Sequence, residues 1–132
     1  MKRILNSPNA PNPVGPYNHA TIHNGVMYIS GQVAFDPATG ELVMDTIEAE
    51  THQVLKNVGA ILKEAGLDYK DVLKASVFVK DMNLYSRINA VYSEYFDEDT
   101  APARELVEVA NLPRFVNIEI SVIAAVGEFK KL

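Results

Sequence analysis

The chain has 132 residues, enough for one domain that buries about two thirds of its unfolded surface. Hydrophobic residues at 48% and charged residues at 22% describe a folded globular protein and exclude a disordered one. Twelve basic against seventeen acidic residues give a charge of -5, which argues against nucleic acid as a partner, and the lack of cysteine excludes disulfides, thiol catalysis and cysteine zinc sites.

The opening "MKRILNSPNAPNPVGPY" has two basic residues but no apolar run long enough for a signal peptide, and no later segment approaches membrane-spanning length. A cytoplasmic protein without a membrane partner is expected, with residues 1–132 forming a single domain. Four prolines and a glycine between Asn6 and Pro16 mark an ordered loop. "HATIHNGVMYISG" then reads as two strands joined at Asn24-Gly25, a pair suited to a tight hairpin turn. Asp36-Pro37 and Gly40 supply a further turn, leaving room for an optional short strand.

Ile47, Val54, Leu55, Val58, Ile61 and Leu62 recur at helical spacing, with Asp45 and Glu48 placed as a capping pair and Gly66 just past the end. "VLKASVFVK" alternates as a strand, with Leu73, Ala75, Val77 and Val79 on one face. Asp81 or Asn83 can cap a second helix that carries Leu84, Ile88, Val91, Tyr92, Tyr95 and Phe96 on one side. Two last strands follow. The expected architecture is α+β, with two helices packed on one face of the sheet.

Alternation sets Arg104, Leu106, Glu108 and Ala110 on one face of the next-to-last strand, and Asn117, Glu119, Ser121 and Ile123 on one face of the last. Val107 and Val109, with Ile118, Ile120, Val122 and Ala124, suit contact with the helices. Arg104 and Glu119 are therefore expected to share the face that the helices leave open, beside Leu106, Phe78 and Tyr28 or Met27. Contiguous apolar surface of that kind marks an interface, so identical subunits are expected to cover it, with the two charged residues lining clefts between them.

Two readings stand for Arg104: a planar fork that holds a carboxylate, or one half of a structural bridge to Glu105, Glu108 or Glu119. Glu119 could position or deprotonate a water, or be the other half of that bridge. Tyr17, presented by a stiff loop, could lid a small polar pocket or simply pack the loop onto the sheet. His19 and His23 are four apart, but they lie in a strand-like run with no carboxylate or cysteine cluster to complete a metal site, and His52 stands alone. No motif for nucleotide, dinucleotide or esterase chemistry is present.

"PVGPYNHA", "YISGQV", "THQVLKNVGAILKEAGLDYKDVLKASVFVKDM", "INAVYSEYF", "APARELVEVANLP" and "VNIEISVIA", in this order, resemble the RidA (YjgF) family of enamine/imine deaminases from about Leu5 to Ala125. The resemblance implies a chorismate-mutase-like homotrimer with active sites between subunits. It implies that Arg104 holds the carboxylate of a small 2-imino acid substrate and that Glu119 orients the hydrolytic water. It further implies substrate contacts at Tyr17, Gly31 and Asn89, and no cofactor. Asn18 stands where serine is common in that family, and Glu105 and Leu106 replace smaller or more polar residues. Leu106, pointing the same way as Arg104, is expected to narrow the substrate pocket. Two rivals remain: a binding module that needs Arg104 but not Glu119, and an RNA-acting protein, against which the charge counts.

Overall fold

The computed structural model describes residues 1–127. Its elements are β1 (Arg3–Leu5), β2 (Ala20–His23), β3 (Val26–Gln32), α1 (Ile47–Glu64), β4 (Val72–Val79), α2 (Tyr85–Tyr92), β5 (Ala103–Glu108) and β6 (Ile118–Ala125). The strands form one six-stranded sheet in the order β1-β2-β3-β6-β4-β5. Only β4 and β5 run parallel; every other pair is antiparallel. The expected α+β class with a mixed sheet is what forms.

Local chemistry accounts for most boundaries. Asn24 (φ 51°) and Gly25 (φ 76°) turn the β2–β3 hairpin with the positive angles that such a turn requires. Helix α1 is capped by Thr46, whose side chain accepts from the Ala49 N–H, and not by Asp45. Glu48, expected to complete that cap, instead takes two hydrogen bonds from Arg87 of α2, both at 2.8 Å. The Arg87 guanidinium holds the Glu48 carboxyl down at about 2. Gly66 ends α1 at φ 72°, with the Gly66 and Leu67 N–H groups closing onto the last carbonyls of the helix. Asp81, not Asn83, makes the cap before α2, bonding the Asn83 N–H across a short 3-10 turn at Met82–Leu84.

Two elements differ from the expectation. β1 forms from Arg3–Leu5, too short to carry a period, because β2 offers it an edge to pair with. The optional strand before α1 reduces to a single bridge between Phe35 and Leu42.

The core lies between the sheet and the two helices. Val54, Leu55, Val58, Ile61 and Leu62 of α1 are fully buried, as are Ala75 and Val77 of β4 and Ile118, Ile120 and Ala124 of β6. Each such leucine or isoleucine contributes about 1.5–3 kcal/mol relative to exposure. Leu73 was expected on this face but is exposed, while Val72 is buried. The β4–β6 register shifts between Val72 and Lys74, and such a bulge reverses which neighbour points inward.

Candidate functional site

Register decides which face each candidate occupies. Arg104 lies beside Ala75 and Leu106 beside Val77 in the β4–β5 ladder, so both share the face of the buried core residues and look toward the helices. Glu119 lies beside Phe78 on β6, and Ile123 lies beside Tyr28 of β3, which puts all four on the opposite, open face. Arg104 and Glu119 therefore lie on opposite faces of one sheet, contrary to the sequence expectation. Met27 and Leu106 also turn inward: Met27 is fully buried and Leu106 packs against the core. Val107 is the large apolar residue of β5 on the open side, at 44% exposure. Apolar residues occur at both parities of β5, so alternation alone had no basis for choosing the face.

Glu119 sits in a cleft of about 410 Å³, shared with Tyr17, Ser30, Gly31, Phe35 and Arg114. That volume is typical of a small-molecule site. The β3–β6 register shifts between Ile29 and Gln32, leaving Ser30 and Gly31 without a register partner on β6. A Cβ on Gly31 would lie 2.8 Å from Glu119 Cδ, so the glycine gives the carboxyl its space. Burial pushes the Glu119 carboxyl above its ordinary range. An acid whose neutral form is favoured by burial can give and take protons above the ordinary carboxylate range.

The proline-rich loop is fastened to the same place. The His19 ring accepts from the Ser7 N–H through Nδ1 (3.0 Å) and donates to the Pro11 carbonyl through Nε2 (2.6 Å). The His19 N–H donates to Asn6 Oδ1 at 2.8 Å. Ser30 Oγ donates to the Asn18 carbonyl at 2.7 Å, and the Asn18 side chain bonds Asn6. Tyr17, held on this loop, is 45% exposed, and its hydroxyl accepts from the Val14 N–H at 3.4 Å. His19 thus spends both ring nitrogens on loop structure. Among the described residues, no group of three His, Cys, Asp or Glu side chains could hold a metal ion.

Arg104 has a different set of neighbours. Its Nη1 donates to Asn89 Oδ1 at 2.9 Å and its Nη2 to the Tyr85 hydroxyl at 3.1 Å. The guanidinium carbon lies 4.7 Å from the centre of the Tyr92 ring. All three partners belong to α2 and none carries a formal charge. The acids that could have bridged Arg104 are engaged elsewhere or out of reach: Glu105 pairs with Lys74, Glu108 accepts from the Met82 N–H, and Glu119 faces away. Arg104 is thus oriented and belongs to no ion pair among the described residues, and it borders a second cleft with Asn89, Tyr92 and Ser93, lined also by Asp97 and Glu98.

The expected site residues accordingly divide. Tyr17, Gly31 and Glu119 meet in one cleft, and Asn89 and Arg104 in the other. Leu106 lines neither, because its side chain is taken up by the core. Sequence reasoning missed Tyr85 and Arg114, and it missed Glu50. This fully buried carboxylate accepts from both the backbone N–H and the side-chain amide of Asn117, each at 2.8 Å. The visible signal for Glu50 was an acid four residues before Val54 on the apolar stripe of α1, an odd place for an unpartnered charge.

Among the described residues no helix is long and apolar enough to cross a membrane. Residues 7–126 match the family described as Endoribonuclease L-PSP. A RutC family protein of Synechocystis is 48% identical over 92% of this chain and 95% of its own. A mouse protein named 2-iminobutanoate/2-iminopropanoate deaminase is 41% identical over 99% of this chain and 96% of its own. The crystal structure of the Escherichia coli YjgF gene product superposes with a TM-score of 0.87 at 42% identity, covering 93% of this chain and 98% of that one. With a family match over residues 7–126 and relatives 41% and 48% identical over 99% and 92% of its length, the chain belongs to the RidA (YjgF) family.

Proposed function

We propose that the chain is a hydrolytic deaminase of short 2-imino acids and their enamine tautomers, giving 2-keto acids and ammonia without a cofactor. The observation that carries this reading is the pair of complementary half-sites. A guanidinium is held by uncharged partners on one face of the sheet, and a carboxyl of raised pKa lies in a cleft on the other. Family membership and the names of the mammalian relatives support the same chemistry.

One substrate can use both half-sites if Arg104 of one subunit approaches the Glu119 cleft of the next. A closed homo-oligomer does this, and the family resemblance favours a trimer. Tyr28 and Val107, half exposed on the open face, and Phe78 beside Val107 offer apolar area for the contact. The guanidinium takes the substrate carboxylate through two parallel hydrogen bonds and fixes C2. Glu119 holds a water against C2 of the protonated imine and takes one of its protons as oxygen bonds carbon, while the C=N electrons move to nitrogen and give the neutral carbinolamine. The carboxyl then returns that proton to the amino nitrogen, the C–N bond breaks with its electrons going to the departing ammonia, and the hydroxyl gives its proton to the Glu119 carboxylate as it becomes the keto oxygen.

The test generates 2-iminobutanoate in place with an amino-acid oxidase and lets semicarbazide compete for the free imine. Wild-type protein should suppress semicarbazone formation, and Arg104→Ala and Glu119→Gln should not. A binding protein without turnover is the second reading, favoured by a relative, Escherichia coli TdcF, whose structure was solved with bound serine. In that case no protein suppresses trapping, and ligand affinity falls with Arg104→Ala while Glu119→Gln is tolerated.

A further inference from the structure

The cleft that holds Glu119 contains a second cation, contributed by the same chain. Arg114 lines it, and its guanidinium carbon lies 5.4 Å from the centre of the Phe35 ring, also in the lining. A contact through a ring face uses none of the N–H donors of the guanidinium. Among the described residues the ion pairs are His52–Glu94, Lys74–Glu105 and Arg87–Glu48, so Arg114 belongs to none of them. Its charge and its fork remain open to an anion.

The backbone holds Arg114 in this place against its own preference. Arg114 and Phe115 have φ of 57° and 56°, a left-handed region that side chains other than glycine seldom adopt. The turn is closed by the Phe115 N–H on the Leu112 carbonyl at 2.9 Å and the Val116 N–H on the Pro113 carbonyl at 3.3 Å. Val116 is fully buried and Leu112 nearly so, which clamps the turn at both ends. Unfavourable backbone angles gather where a side chain must be aimed at a ligand.

A short neutral imino acid has one carboxylate and needs one cation, which Arg104 of a neighbouring subunit would supply. A cleft bearing its own arginine as well has a second cation, which makes no ion pair with the Glu119 carboxyl that shares the lining. We propose that Arg114 is a specificity-determining residue, and that this protein favours 2-imino acids carrying a second carboxylate at the far end of the side chain, the imines of aminodicarboxylic acids. This rests on the deaminase reading of the Arg104 and Glu119 half-sites.

The test compares kcat/KM for 2-iminoglutarate and 2-iminobutanoate, both generated by oxidases with a semicarbazide trap, in wild type, Arg114→Gln and Arg114→Gly. Calorimetry with the corresponding keto acids, 2-oxoglutarate and 2-oxobutanoate, supplies a readout independent of turnover. Wild type should prefer the diacid, and Arg114→Gln should lower the diacid-to-monoacid ratio by about tenfold to a hundredfold, the range for losing a charge-assisted hydrogen bond. Arg114→Gly should lower it as far while raising Tm, because glycine relieves the left-handed φ, and this separates lost selectivity from a damaged fold. If 2-iminobutanoate is turned over but the diacid is not preferred, the selectivity idea falls and the deaminase reading stands. If nothing is turned over yet 2-oxoglutarate binds tighter through Arg114, the deaminase reading falls and anion selection stands. Absence of both turnover and diacid binding overturns both.

Discussion

The Glu119 carboxyl occupies the space that a side chain on Gly31 would need: a Cβ there would lie 2.8 Å from Cδ and 3.0 Å from Oε2. Gly31 is therefore required for close approach, since its own φ is not in the left-handed region. The Gly31→Ala variant should fold, because the position is exposed, but should lose about a hundredfold in kcat as the carboxyl is pushed aside. Steady-state kinetics beside a circular dichroism spectrum would check this, and full activity would remove Glu119 from the chemistry.

Arg104 and Glu119 lie on opposite faces of the sheet, so in the proposed reaction the substrate would bring them together from different subunits. Arg104→Ala and Glu119→Gln should each be inactive alone. Unfolded together at equal amounts and refolded, they should regain about a quarter of wild-type activity, the chance that a site between random subunits draws both intact halves. Separately refolded proteins mixed afterwards are the control. No recovery in the co-refolded sample would mean that each site lies within one chain.

The raised pKa of Glu119 is also a statement about stability. Burial disfavours the charged form, so the folded state binds the proton more tightly than the unfolded chain, whose group titrates near 4.5. The folded protein is favoured while Glu119 is protonated, and that contribution is lost as pH rises from 4.5 through the folded-state value. The Glu119→Gln variant should therefore match wild type in urea midpoint at pH 4 and exceed it at pH 7. A lower midpoint at pH 7 would show that the carboxylate is stabilised by its surroundings after all.

Glu50 joins α1 to the start of β6 through two 2.8 Å hydrogen bonds to Asn117, two residues before Glu119. The Glu50→Ala variant leaves the two donors of half-buried Asn117 without their fully buried acceptor and should lose about 2–4 kcal/mol by urea denaturation. Glu50→Gln keeps the volume but turns an amide N–H₂ toward one of those donors, so a smaller loss, about 1–2 kcal/mol, is expected. An unchanged midpoint in Glu50→Ala would mean that Asn117 finds other partners.

Where structure depends on neighbours in the chain, the sequence alone determined it. The period of α1 from Val54 to Leu62, the Asn24-Gly25 hairpin and the stop at Gly66 follow from side-chain spacing and from backbone angles that few residues allow. The candidates Tyr17, Gly31, Asn89, Arg104 and Glu119 were also named from sequence, by resemblance, and all five line one of two clefts. Only the tertiary structure decided how those residues relate. Alternation rightly put Arg104 and Leu106 on the same side of β5, but β5 carries apolar residues at both parities. Which side meets the helices is set by its parallel register on β4, where Arg104 falls beside Ala75. The bulge at Val72 and Lys74, the left-handed φ at Arg114 and the reach of Glu50 to Asn117 depend on segments distant in sequence. The chemistry of each residue is local, whereas the face it occupies and the partners it meets are properties of the paired sheet.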